Sequence, residues 1–87
     1  MSKSHEFLAL LKAARILTPL GSTWLHKKGG EYTVLDHAID TESGEASVCY
    51  GRTDGPGFNA QLENEILFVR RVSEWTPDRF TKLSDDA

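Results

Sequence analysis

The sequence predicts a mainly β fold with an N-terminal α-helix: a small SH3-like barrel of four to five antiparallel strands behind a helical extension. Three observations carry this. Phe7, Leu10, Leu11, Ala14 and Leu17 recur at helical spacing. From Ser22 onward, short β-favouring runs alternate with glycine-containing turns. The length of 87 residues suffices for one domain and no more. A helix followed by four or five short strands joined by tight turns suggests such a barrel. The chain accordingly divides into a helical extension at 1–21, a barrel at 22–83 and a frayed acidic tail at 84–87.

The helix is expected over residues 4–17. Ser2 or Ser4 can cap it, Glu6 suits the positive end of its dipole and Arg15 the negative end. Lys12 and Arg15 stay off the apolar stripe. Pro19 stops the helix by disfavouring a helical conformation at Thr18. The best-marked element is the hairpin Trp24–Asp40, in which Gly29-Gly30 separates Thr23–His26 from Glu31–Leu35. A two-residue Gly29-Gly30 loop would set Trp24 opposite Leu35, His26 opposite Thr33 and His37 opposite Ser22. A turn over Thr41–Glu45 leads to a third strand at Ala46–Arg52. After the turn Thr53–Gly57, residues Phe58–Glu65 read as a long loop or one helical turn. Ile66–Val69 is expected as a fourth strand, Ser73–Trp75 as a single helical turn, and Arg79–Leu83 as the last strand.

A chain this short buries roughly 60–65% of its unfolded surface, so its core is modest. Apolar content of 39% with 26% charged residues fits a folded globule. A formal net charge of −3 weighs against a general phosphate-backbone binder. The single cysteine, Cys49, excludes an intramolecular disulfide and a cysteine zinc cluster, and its strand-like surroundings suit a small buried hydrophobe. The opening residues lack the apolar run of a signal peptide, and Phe7–Leu17 is too short and too charged to span a bilayer. The expected compartment is the cytoplasm.

At the hairpin, Trp24-Leu25-His26-Lys27-Lys28-Gly29-Gly30-Glu31-Tyr32-Thr33-Val34-Leu35 resembles the opening of a small bacterial and phage domain family of uncharacterised function. Ala38-Ile39-Asp40-Thr41-Glu42, then Val48-Cys49-Tyr50, then Arg71-Val72-Ser73-Glu74-Trp75 and Arg79-Phe80 are similar to that family's later segments, in the same order. The resemblance covers roughly residues 22–83 and implies a small SH3-like barrel, without an activity to carry over. Val72 stands where the family usually has Pro, and Asn59–Glu65 looks like an insertion. The N-terminal helix lies outside the resemblance, so a specialised role is expected in the helix or the insertion.

No catalytic or metal signature emerges. His5 belongs to the helix start, and His26 and His37 form no obvious pair in the expected register. Asp40–Glu45 lacks the length of a calcium loop, and Gly55-Pro56-Gly57 lacks the Lys-Ser/Thr of a phosphate loop. Ser22, Ser43, Ser47, Ser73 and Cys49 have no His-plus-carboxylate partner that spacing places beside them. The aromatics offer more. Phe68 and Phe80 are expected in the core, with Trp75 partly buried; Trp24, Tyr32 and Tyr50 either pack in the core or at an edge or, with Phe58, Arg70 and Arg71, make up a candidate binding surface. Phe7, Leu10, Leu11 and Ala14 make up a candidate helix interface.

The function expected is a non-enzymatic interaction module that binds another protein or a small ligand, with no cofactor and no membrane partner. The helix offers a route to homo-oligomers. The phage association of the resemblance suggests an accessory protein that inhibits a host enzyme or defence complex. Two alternatives stand beside this. One is a nucleic-acid-binding barrel using Lys27, Lys28, Arg52, Arg70 and Arg71 with Tyr32 and Tyr50. The other is a small enzyme whose site is assembled only on folding.

Overall fold

A computed structural model describes residues 3–85. A helix, α1 (Lys3–Leu17), precedes the strands β1 (Thr23–His26), β2 (Glu31–Ile39) and β3 (Ala46–Asp54). A short helix α2 (Ala60–Glu63), β4 (Phe68–Arg71), a 3-10 turn at Val72–Glu74 and β5 (Phe80–Ser84) follow. The chain is mainly β with an N-terminal helix, as its patterning predicts. The strands form one antiparallel sheet in the order β4-β3-β2-β1-β5, a meander whose last strand returns beside the first. Such an order suits an SH3-like barrel; among the described residues no ladder joins β4 to β5.

Two expectations about α1 need amendment. Ser4 lies within the helix rather than at its cap, and the Ser2 cap falls outside the described residues, as do residues 86 and 87 of the expected tail. The helix ends where Thr18 turns back: its amide and its hydroxyl both donate to the Ala14 carbonyl, at 2.8 Å each. Pro19 then directs the chain onto the sheet, where Gly21 N–H donates to Val34 O and Val34 N–H to Ser22 O, both at 2.9 Å.

The register of the first hairpin differs from that of a two-residue loop. Trp24 pairs with Tyr32, Thr23 with Thr33 and Leu25 with Glu31, which sets His26 opposite Gly30 and leaves Lys27–Gly29 as the loop. His26 N–H donates to Gly30 O and Gly29 N–H to His26 O, each at 2.8 Å, which closes a four-residue turn. Only Gly29 takes a positive φ, 102°. Gly30 is needed for space instead: a Cβ there would lie 2.9 Å from the Tyr32 ring and 3.2 Å from Arg52 Nε. His37 consequently does not face Ser22; its Nε2 lies 2.8 Å from Thr18 Oγ1. Farther along, the β2–β3 ladder shifts register between Val34 and Asp36, and this bulge leaves Leu35 largely exposed.

The core is aromatic. Trp24, Val34, Val48, Tyr50, Trp75 and Phe80 are buried together, with Tyr32, Phe68 and Val72 packed against them. Trp75 stacks on Phe80 with ring centroids 3.8 Å apart, and Trp24 meets Trp75 edge-on at 5.6 Å. Trp75 is thus fully in the core rather than partly buried, and Phe68, expected in the core, is only half-covered. The 3-10 turn delivers Trp75 there because Trp75 N–H bonds back to Val72 O. The fourth strand is Phe68–Arg71, two residues later than the apolar run Ile66–Val69 suggests, because β4 pairs with β3 through Phe68 opposite Tyr50.

Candidate functional site

The hairpin turn, β3 and β4 together enclose a groove of about 370 Å³ lined by His26, Lys28, Gly30, Tyr32, Tyr50, Arg52, Pro56, Phe68 and Arg70. Its wall is a ring-on-ring cluster. Tyr32 meets Tyr50 edge-on at 5.3 Å, Tyr50 stacks obliquely on Phe68 at 5.6 Å, and His26 meets Tyr32 at 6.3 Å. Ladder pairing sets this up. Tyr32 lies opposite Arg52, and Phe68 opposite Tyr50, so strand alternation brings both pairs to one end of the sheet.

Three cations and no carboxylate line the groove. Arg52 is held from outside by the Glu63 carboxylate at 3.7 Å, by the Asp54 carbonyl at 3.3 Å and by the Pro56 carbonyl. Arg70 donates to Tyr50 Oη at 3.4 Å, lies over the Phe80 ring at 5.4 Å and reaches Glu74 at 3.9 Å. Lys28 forms no ion pair among the described residues. Partial burial, with Arg70 and Lys28 nearby, holds the His26 pKa below its usual value. Its Nδ1 accepts from the Lys28 N–H at 3.1 Å, so at neutral pH His26 is an uncharged imidazole whose protonated nitrogen is Nε2.

The structure brings Tyr32, Tyr50 and Arg70 of the sequence-derived surface into this one groove. Trp24 is not part of it; at 8% exposure it belongs to the core, and its indole N–H is satisfied by Ser22 Oγ at 2.8 Å. Phe58 is half-buried and does not line the groove, and Arg71 pairs with Glu45 at 3.7 Å on a different part of the surface. Lys28 and Arg52, grouped with Arg70, Tyr32 and Tyr50 in the nucleic-acid alternative, also line the groove, and His26 and Phe68 join it without having been placed there from sequence. The alternation of side chains along two paired strands is the signal for Arg52 and Phe68, but it is usable only once the register is known.

The remaining titratable groups offer little chemistry. Burial raises the Cys49 thiol pKa, with Asp36 adding to the rise, so it stays protonated at neutral pH. His37 is buried against Thr18, and burial lowers its pKa. Among the described residues no group of three His, Cys, Asp or Glu side chains could hold a metal ion, and no helix is long and apolar enough to cross a membrane.

Of the expected helix interface, Ala14 is buried on the chain's own sheet, and Phe7 and Leu11 are half-covered. Leu10 stays exposed. Comparison of the chain with family models, with curated proteins and with solved structures finds no match.

Proposed function

We propose that this protein is a non-enzymatic interaction module that holds a short acidic segment of a partner protein in the aromatic groove. The observation that carries the reading is the groove's charge: Lys28, Arg52 and Arg70 line it with no carboxylate, on a chain whose net charge is −3. A local positive site of this kind selects carboxylates through charge-assisted hydrogen bonds, and the arginines suit bidentate geometry. A volume of about 370 Å³ fits a few side chains rather than a long polymer. The rings argue the same way. Tyr50 is buried and its neighbours pack against it, so its face is not free to stack a nucleobase.

The test is a titration of isotope-labelled protein with a blocked hexaglutamate peptide and, separately, with oligothymidylate of equal charge, at about 50 mM salt. Amide shifts confined to Gly30, Tyr32, Tyr50 and Arg70 on adding the peptide support the reading. Lys28→Glu should weaken that binding about fivefold, the effect of one exposed charge pair worth about 1 kcal/mol. Tighter binding of the oligothymidylate would replace the reading with nucleic-acid recognition. No shift with either probe would remove the groove from consideration.

A further inference from the structure

A second surface, sharing no lining residue with the aromatic groove, runs beside α1. Leu10, Ala13 and Leu17, spaced i, i+3 and i+7, form one flank of the helix, and Val72 stands across from them in an apolar groove of about 410 Å³. Leu17 also borders an apolar cavity of about 320 Å³ beside Trp75 and Pro77, so the apolar surface is continuous past the end of the helix. Leu10 is 40% and Leu17 48% exposed, although both belong to the apolar stripe. The molecule measures 47 Å along its longest axis against 24 and 20 Å across.

Charge is divided unevenly between helix and sheet. Lys3, Lys12 and Arg15 against Glu6 give α1 a net charge of +2, and the chain's −3 therefore leaves −5 on everything else. The ionisable side chain on the groove's lining is the acidic Glu45, so the groove suits a cationic amphipathic helix, and α1 is itself such a helix. We infer that the groove beside α1 is covered by a second copy of this chain, in a twofold dimer in which each α1 lies along the other copy's groove. A twofold contact covers both exposed stripes at once, since the same patch serves each partner. Ala13, the small residue at the middle of the stripe, lets the helices approach closely, with Leu10 and Leu17 of one copy packing to either side of it.

Sedimentation equilibrium on the full chain tests this. The expected result is a mass twice that of the chain at high concentration, falling toward the single-chain mass on dilution, with weaker association as salt is raised. Leu10→Asp combined with Leu17→Asp should weaken the dimer by at least about tenfold, equivalent to about 1.4 kcal/mol, with the far-ultraviolet circular dichroism unchanged. Ala13→Glu, at an exposed position, repeats the test should the double variant lose its fold. Lys12→Glu with Arg15→Glu should weaken the dimer at low salt only. A wild type that stays monomeric at every concentration, or a folded Ala13→Glu that dimerises like the wild type, overturns the inference.

Discussion

Thr18 Oγ1 donates to the Ala14 carbonyl and therefore accepts from His37 Nε2, which fixes His37 as its Nε2–H tautomer with Nδ1 buried and unpartnered. Protonation would place a charge and an unsatisfied donor in that site. Burial lowers the His37 pKa, Arg15 lowers it further, and Asp36 and a hydrogen bond to Thr18 oppose the shift only in part. The unfolded chain therefore binds this proton more readily than the folded one, and stability is lost as pH falls below about 6.5, levelling off beneath the folded pKa. The shift at His26 has the same sign. A thermal midpoint that declines between about pH 7 and pH 5, and declines less in His37→Gln, is the expected outcome; a flat profile would contradict it. Asp40 and Asp78, whose pKa values are lowered by hydrogen bonds from the Glu42 amide and the Thr76 hydroxyl, act only at lower pH. Gly30 carries a second prediction. A Cβ there meets the Tyr32 ring and the Arg52 side chain. Gly30→Ala should lower the thermal midpoint, because the Tyr32 ring that must give way is packed against Tyr50, Phe68 and Phe80, and should weaken hexaglutamate binding. Sequence alone reads Gly29-Gly30 as a pair that accepts positive φ; that the second is there for space depends on how the Tyr32 ring and the distant Arg52 fold over it.

Element boundaries were legible where periodicity or a stop signal was strong. The helix stripe, the Pro19 stop and the strands of the hairpin read correctly from local pattern, and the turn expected at Ser73–Trp75 lies one residue earlier, at Val72–Glu74. The hairpin register did not, because two adjacent glycines are compatible with loops of two or three residues and only the cross-strand pairing of Trp24 with Tyr32 decides. The segment 59–65 is the other ambiguous stretch. It folds as one helical turn whose Asn59 side chain accepts from Gln61 N–H at 3.0 Å, and its purpose is visible only in three dimensions: Glu63 reaches Arg52 behind the groove. Glu63 thereby offsets a charge that the groove would otherwise present in full. Glu63→Gln keeps a hydrogen-bonding partner for Arg52 and removes the opposing charge. Hexaglutamate should then bind about two- to fivefold more tightly at low salt, the worth of a partly exposed ion pair, and the gain should vanish at high salt. Weaker binding in this variant would mean that Glu63 acts by positioning Arg52 and not by masking it.

At the scale of the molecule, two regions differ in how firmly they are held. The sheet centres on β2 and β3, where Val34, Val48 and Tyr50 are buried in a cluster closed by Trp75 and Phe80. The helix is fixed chiefly near its C-terminal end, through Ala14, Thr18 and the Thr18–His37 contact, while its first turns carry exposed side chains. The groove draws residues from 26 to 70 onto one surface, which is why it could not be assembled from sequence spacing, whereas the helix stripe, being local, could. Regions with few buried contacts open at lower free energy than the core. Amide hydrogen exchange on dilute, monomeric protein should therefore be slowest at Val34, Val48 and Tyr50 and fastest in residues 3–9 of α1, with intermediate protection at Ala14 and Thr18. Thr18→Val leaves the His37 donor without its partner, an expected loss of about 1–3 kcal/mol from the docking of the helix. If the helix and sheet are separate cooperative units, that loss should appear as faster exchange in α1 with little change at Val48. Equal acceleration at both would show instead that the helix and the sheet unfold as one.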